Sequence, residues 1–152
     1  MKRFGLKYDL TYYGVVLGGS IAGVLGMFNI YVYLHTYDLT GSALISMALM
    51  IPTLPLVYIS LGALVGFGVF TGNFFKYSLW VVALKACFNI IFIFWYIAFL
   101  YWPPERGWDL MVPGLVFAVI LYYVVINEYL PAALPEHLRK HWRRGKRRKK
   151  LK

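Results

Sequence analysis

The sequence predicts an all-α integral membrane protein: four antiparallel transmembrane helices in a bundle, followed by a short basic amphipathic helix in the cytoplasm. Composition is the first reason, since 61% of the 152 residues are apolar, 19% are aromatic and the mean hydropathy is +0.63. Water-soluble domains do not have this composition. Four apolar runs are also long enough to cross roughly 30 Å of hydrocarbon, which takes about 20 helical residues. Finally, ten of the sixteen Lys and Arg residues follow position 138, so most of the formal charge of +10 belongs to a tail.

The apolar runs divide the chain into a transmembrane domain, residues 1–134, and a basic cytoplasmic tail, residues 135–152. Short connecting segments make successive helices antiparallel neighbours. A cleaved signal peptide is the alternative for the first run, because basic residues precede it. That run has 23 residues, however, which exceeds the roughly 7–15 apolar residues of a signal peptide. The predicted spans are 12–34, 42–70, 78–101 and 109–130.

Basic residues near the ends of the spans predict the orientation. If both termini and the loop after the second run face the cytoplasm, fourteen of the sixteen basic residues lie there and Arg106 alone lies on the other side. We therefore expect a multi-pass protein of the cell (inner) membrane with both termini cytoplasmic. In a eukaryote the endoplasmic reticulum is the alternative, although the terminal KKLK matches a dilysine retrieval signal by composition alone.

Small residues recur every four positions in the first run and reappear in the second. Such a face carries almost no side chains, so the backbone of another helix can approach closely. The spacing favours packing of the first run on the second, and an interface with another copy or with a partner subunit is the alternative. The predicted helix-packing residues are Gly14, Gly18, Ala22, Gly26, Gly62 and Gly66.

Pro52 and Pro55 lie near the middle of the second run. Each removes a backbone donor and crowds the preceding turn, which predicts a kink or a short unwound stretch. Interrupted helices line substrate sites in many transporters. A bend that only improves packing is the simpler interpretation, because this run is longer than a bilayer requires.

Lys85 is the one clear charge inside an apolar run, and Glu128 lies near the end of the fourth run. Asn89 follows Lys85 by one helical turn. Ionisable residues within a span are costly, so they suggest function. We predict an intramembrane polar cluster of Lys85, Asn89 and Glu128 that carries a proton or binds an anionic group. The alternative is that Lys85 extends to the interface while Glu128 is solvated.

No catalytic or metal-binding motif accompanies these features. The single cysteine, Cys87, excludes a disulfide framework and a thiolate metal site, and no nucleotide-binding or nucleophile motif is present. We therefore expect no enzyme activity, no metal and no cofactor.

The tail combines apolar positions at four-residue steps with many basic residues, which is typical of a helix lying on a membrane surface. Anionic lipid headgroups are the expected partner, because the preceding span already holds the tail beside them and each basic residue near an anionic leaflet contributes about 1 kcal/mol. Ribosomal RNA and an acidic soluble protein are the alternatives. The predicted binding residues are Arg139, Lys140, Arg143, Arg144, Lys146, Arg147, Arg148, Lys149 and Lys150.

Two classes of function fit the sequence. The first is a non-catalytic subunit or assembly factor of a larger membrane complex, indicated by minimal loops and glycine-rich helix faces. The second is a small oligomeric channel or carrier that uses Lys85 and Glu128 within the membrane.

Overall fold

A computed structural model describes residues 6–36, 41–101, 109, 111–134, 136 and 138–140, and every regular element within these ranges is helical. An apolar run without access to water satisfies its backbone donors and acceptors within a helix. The helices are α1 (Leu6–Thr36), α2 (Gly41–Thr71), α3 (Phe74–Tyr101) and α4 (Met111–Val124). The last continues through a π-helical turn (Val125–Tyr129) into the short α5 (Leu130–Ala132).

The prediction of four apolar helices is confirmed. The segments long and apolar enough to span a membrane are Asp9–Val32, Leu44–Thr71, Phe74–Trp95 and Met111–Ala132. Two helices begin several residues earlier than the predicted spans, at Leu6 rather than 12 and at Phe74 rather than 78. Their first turns contain Lys7 and Lys76, which lower the local hydropathy but are good helix formers.

The centre of the fold is α2. It is the most buried of the four long helices, whereas α1 and α3 are the least buried. One side of α2 packs with α3 and α4 around a cluster of buried apolar side chains, and α1 packs on another side of α2. The buried cluster consists of Met50, Leu54, Val57, Leu61, Ala63, Leu64, Phe88, Trp95, Met111, Ala118, Leu121 and Val125.

A tight turn at Gly72 joins α2 to α3. Gly72 has φ +75°, a left-handed conformation that side-chain-bearing residues rarely adopt, and its N–H donates to the Val69 carbonyl at 3.2 Å. Asn73 follows, and its carbonyl accepts from the Tyr77 N–H at 3.3 Å. This turn brings the start of α3 beside the end of α2.

The prolines of α2 do not interrupt it. The helix is continuous from Gly41 to Thr71, so it is not unwound at Pro52 and Pro55, and the kink at these residues stays a prediction. Helical hydrogen bonds on both sides hold the backbone through these positions, although each proline deprives one carbonyl a turn earlier of its donor.

Pro131 has a different effect on the fourth helical segment. Since Pro131 cannot donate to the carbonyl four residues earlier, the helix widens before it, and the Leu130 N–H donates to Val125, five residues back. Glu128 lies within this π-helical turn and is exposed.

Candidate functional site

The contact between α1 and α2 is made by backbones. A Cβ atom added to Gly14 would overlap the carbonyl of Gly62, and one added to Gly18 would overlap the carbonyl of Tyr58. In the same way, a Cβ added to Gly66 would overlap the backbone of Leu10. The numbers of the contacting residues decrease along α2 as they increase along α1, so the two helices run in opposite directions along this contact.

The two ends of the small-residue repeat in α1 have different surroundings. Ala22 is buried at 1% exposure, which extends the small-residue face beyond Gly18. A Cβ added to Gly26, by contrast, would meet nothing within 4 Å, and the same holds for Gly23. The structure therefore brings five of the six predicted packing residues to buried or close-packed positions and leaves Gly26 in open space.

A groove runs between α1 and α3, with α2 as its floor. Its volume is about 960 Å³ and its walls are almost entirely apolar. On α1 it is lined from Leu10 to Ile21, which is roughly 17 Å at about 1.5 Å per residue. Two of the predicted cluster residues, Lys85 and Asn89, line its α3 wall at one end.

Lys85 points toward α2. Its Nζ donates to the hydroxyl of Tyr58 at 2.6 Å and lies 4.1 Å from the centroid of that ring and 5.1 Å from the centroid of Phe88. Both rings lie within the range of a cation–π interaction, and the short hydrogen bond is charge-assisted. A neutral hydroxyl and two rings stabilise the ammonium group, but none of the three is a counter-ion.

Glu128 does not supply that counter-ion. Within the described chain no ion pair within 4.0 Å joins Lys85 to Glu128, and the one salt bridge found there links Lys140 to Glu136 at 3.3 Å. Glu128 is exposed in the π-helical turn after α4, whereas Lys85 is oriented toward α2. The side-chain amide of Asn127, beside Glu128, donates to the Tyr123 carbonyl at 2.8 Å.

Tyr58 was missed by the sequence analysis. It lies at the middle of the second membrane-spanning candidate, Leu44–Thr71, and Lys85 lies at the middle of the third, Phe74–Trp95. A tyrosine far from both ends of an apolar run needs a partner for its hydroxyl, and that requirement was the available signal.

The beginning of the tail is held by Arg139. Its Nη2 donates to the carbonyls of Ala132 at 2.7 Å and Leu134 at 3.2 Å, at the C-terminal end of α5. A cation at this place satisfies helix-terminal carbonyls and interacts favourably with the helix dipole. Arg139 is therefore engaged with the bundle, and Lys140 is exposed. The other predicted tail residues, from Arg143 to Lys150, lie outside the described residues.

Among the described residues, no group of three or more His, Cys, Asp or Glu could hold a metal ion. Comparison with known proteins adds no name for the fold or the site: no protein-family model, no curated protein and no solved structure matches this chain.

Proposed function

We propose that this protein is a non-catalytic subunit or assembly factor of a larger membrane complex. Its four long helices cross the bilayer as an antiparallel bundle with both termini in the cytoplasm, and the basic tail rests on anionic lipid. It acts through lateral contacts between its helices and other membrane-spanning chains.

The observation that carries the proposal is the position of Asn89. Its side chain is exposed on α3, within the span Phe74–Trp95, and no hydrogen bond to its amide is present in the described part of the chain. An amide facing hydrocarbon without a partner is costly, and asparagine side chains associate transmembrane helices by bonding across their interface. A second chain beside α3 satisfies that amide.

The exposed faces of α1 and α3 are compatible with the same conclusion. Much of α1 beyond Ala22 is uncovered, including Met27 at 76% and Phe28 at 62% exposure. Lipid alone can cover such apolar side chains, so these faces permit a partner without requiring one. The polar amide of Asn89 is the feature that lipid does not satisfy.

The alternative of a channel or carrier that works through Lys85 and Glu128 has weaker support. Transfer of a proton between the two groups requires them to approach, and no ion pair joins them within the described residues. The lining of the groove is also almost wholly apolar, which is unsuited to a water-filled path.

Purification from the native membrane in a mild detergent, followed by native mass spectrometry, tests the proposal. We expect the chain in a stoichiometric complex with other membrane proteins, and Asn89→Leu should lose those subunits while remaining folded. Ile93→Leu, another exposed position one turn along α3, is the matched control and should retain them. Recovery of the chain alone, or as a homo-oligomer, would contradict the proposal.

A further inference from the structure

Lys85 lies at the end of a long apolar groove, and the contacts of its ammonium group within the described residues do not neutralise its charge. Within the described residues its ammonium has one hydrogen bond, to Tyr58, and no carboxylate within 4.0 Å. Since Lys85 lies at the middle of its span, at roughly 16 Å from Phe74 at about 1.5 Å per residue, an unneutralised charge there is costly in lipid. A negative charge supplied from outside the chain removes that cost.

We infer that the groove between α1 and α3 receives a transmembrane helix of a partner subunit, and that a carboxylate near the middle of this helix pairs with Lys85. This inference rests on the proposed function, because it specifies how a partner subunit docks. The positive charge of Lys85 calls for an acidic residue on the partner helix. The depth of Lys85 in the membrane places this acidic residue near the middle of that helix.

A second copy of this chain cannot provide the carboxylate. The six acidic residues are Asp9, Asp38, Glu105, Asp109, Glu128 and Glu136. None falls in the middle of an apolar run: Asp9 begins the first membrane-spanning candidate, and Glu128 lies four residues from the end of the fourth. The partner is therefore a different chain.

The shape of the groove disfavours an ordinary phospholipid as the occupant. One end is lined by Leu10 and Val69, near the termini of α1 and α2, and the other is lined by Lys85 and Asn89 at mid-span. A phospholipid entering with its headgroup at the membrane surface would place the end of its acyl chain against the ammonium group. A helix that passes through the groove presents a polar side chain at that depth.

Asn89 completes the recognition site. Its amide both donates and accepts, so it can bond one carboxylate oxygen of the partner while the Lys85 ammonium bonds the other. The groove covers roughly 17 Å, or about three helical turns, which allows several apolar residues of the partner to pack between the charged pair and the end of the groove at Leu10 and Val69.

A synthetic helix provides the test without knowledge of the natural partner. The probe is a polyleucine peptide of about 21 residues, the length of one membrane span, with a single Glu at its centre and Lys at its ends. Its association with the full chain is measured by fluorescence energy transfer in bilayers. An all-leucine peptide and a peptide with Glu moved two turns from the centre are the comparisons.

We expect the central-Glu peptide to bind about tenfold more tightly than the all-leucine peptide, the range expected for an interhelical polar contact. Lys85→Met should abolish the difference and Lys85→Arg should preserve it. Ala86→Leu, which fills the groove but leaves Lys85 intact, should also weaken binding, whereas Cys87→Leu, exposed and outside the groove, should not. Melting curves of each variant show that the bundle remains folded.

Equal binding of the central-Glu and all-leucine peptides, or undiminished binding by Lys85→Met, would overturn the inference. Lys85-dependent binding of spin-labelled stearic acid in place of the peptide would overturn it in favour of a lipid carboxylate. These outcomes are independent of the purification experiment. A stoichiometric complex that depends on Asn89 can be found even when the Glu peptide fails, and a chain purified alone contradicts the proposed function whatever the peptide does.

Discussion

Two sides of α2 are packed by opposite means. Toward α1 the helices meet backbone to backbone at Gly14, Gly18 and Gly62. Toward α3 and the π-helical turn after α4 the contacts are made by large rings, and the centroid of Phe67 lies 5.3 Å from that of Tyr77 and 5.2 Å from that of Tyr129, both edge-on. In the lipid setting that we propose, neither side gains from removing apolar surface from water, so stability depends on how closely the surfaces fit. The side of α2 that faces α1, called the glycine side, has no room for a side chain at these three glycines. On the other side, called the aromatic side, the rings can shift.

The aromatic side also contains space between its side chains. A cavity of about 470 Å³ lies among α2, α3 and α4, with Leu64, Tyr77 and Tyr129 on its walls. Rings beside such a space can shift when a neighbour is truncated. Enlarging a glycine on the glycine side should therefore lower the free energy of unfolding more than truncating a ring on the aromatic side.

The largest effect is expected from Gly62→Leu. Any side chain at this position overlaps the carbonyl of Gly14, and a backbone cannot move aside as a flexible side chain can. We expect a loss of about 3 kcal/mol or more in the free energy of unfolding, at the upper end for overpacked sites. Titration with SDS in mixed micelles measures this loss.

Gly26→Leu is the matched control for Gly62→Leu. It adds the same side chain to a helical glycine, but a Cβ there meets nothing within 4 Å. The control should be as stable as the wild type or slightly more so, because leucine favours the helix by up to about 1 kcal/mol relative to glycine. Equal losses from both variants would show that α1 does not depend on the backbone contact.

A smaller effect is expected from Phe67→Ala on the aromatic side. In a water-soluble core this truncation costs about 3–5 kcal/mol, part of which is the lost transfer from water. That part is absent in lipid, so we expect about 1–2 kcal/mol, from lost ring contacts alone. Phe94→Ala, at an exposed ring on α3, is the control and should cost little. A loss from Phe67→Ala as large as that from Gly62→Leu would remove the distinction between the two sides.

The helices could be predicted from the sequence, whereas most of the contacts between them could not. Four apolar runs predicted four helices, because hydropathy and length are properties of local sequence. The repeat from Gly14 to Gly26 contains no information on where α2 crosses it, so Gly14 and Gly26 looked equivalent although only Gly14 meets another backbone. Lys85 was found as a charge in an apolar run, whereas its hydrogen bond to Tyr58, 27 residues earlier, depends on how two helices are rotated against each other.

The smallest effect, with the opposite sign, is expected from Thr11→Val on the glycine side. Thr11 is completely buried, and its hydroxyl has no hydrogen-bond partner among the residues that the structure describes. Valine has the same shape and removes the unsatisfied group, so the free energy of unfolding should stay unchanged or rise by about 1 kcal/mol. Thr53→Val is the matched comparison: its buried hydroxyl donates to the Leu49 carbonyl at 2.6 Å, and losing that bond should cost about 0.5 kcal/mol. If Thr11→Val were the more damaging of the two in SDS titration, the Thr11 hydroxyl would have a bonding partner in the membrane, and the glycine side would depend on a polar contact as well as on close fit.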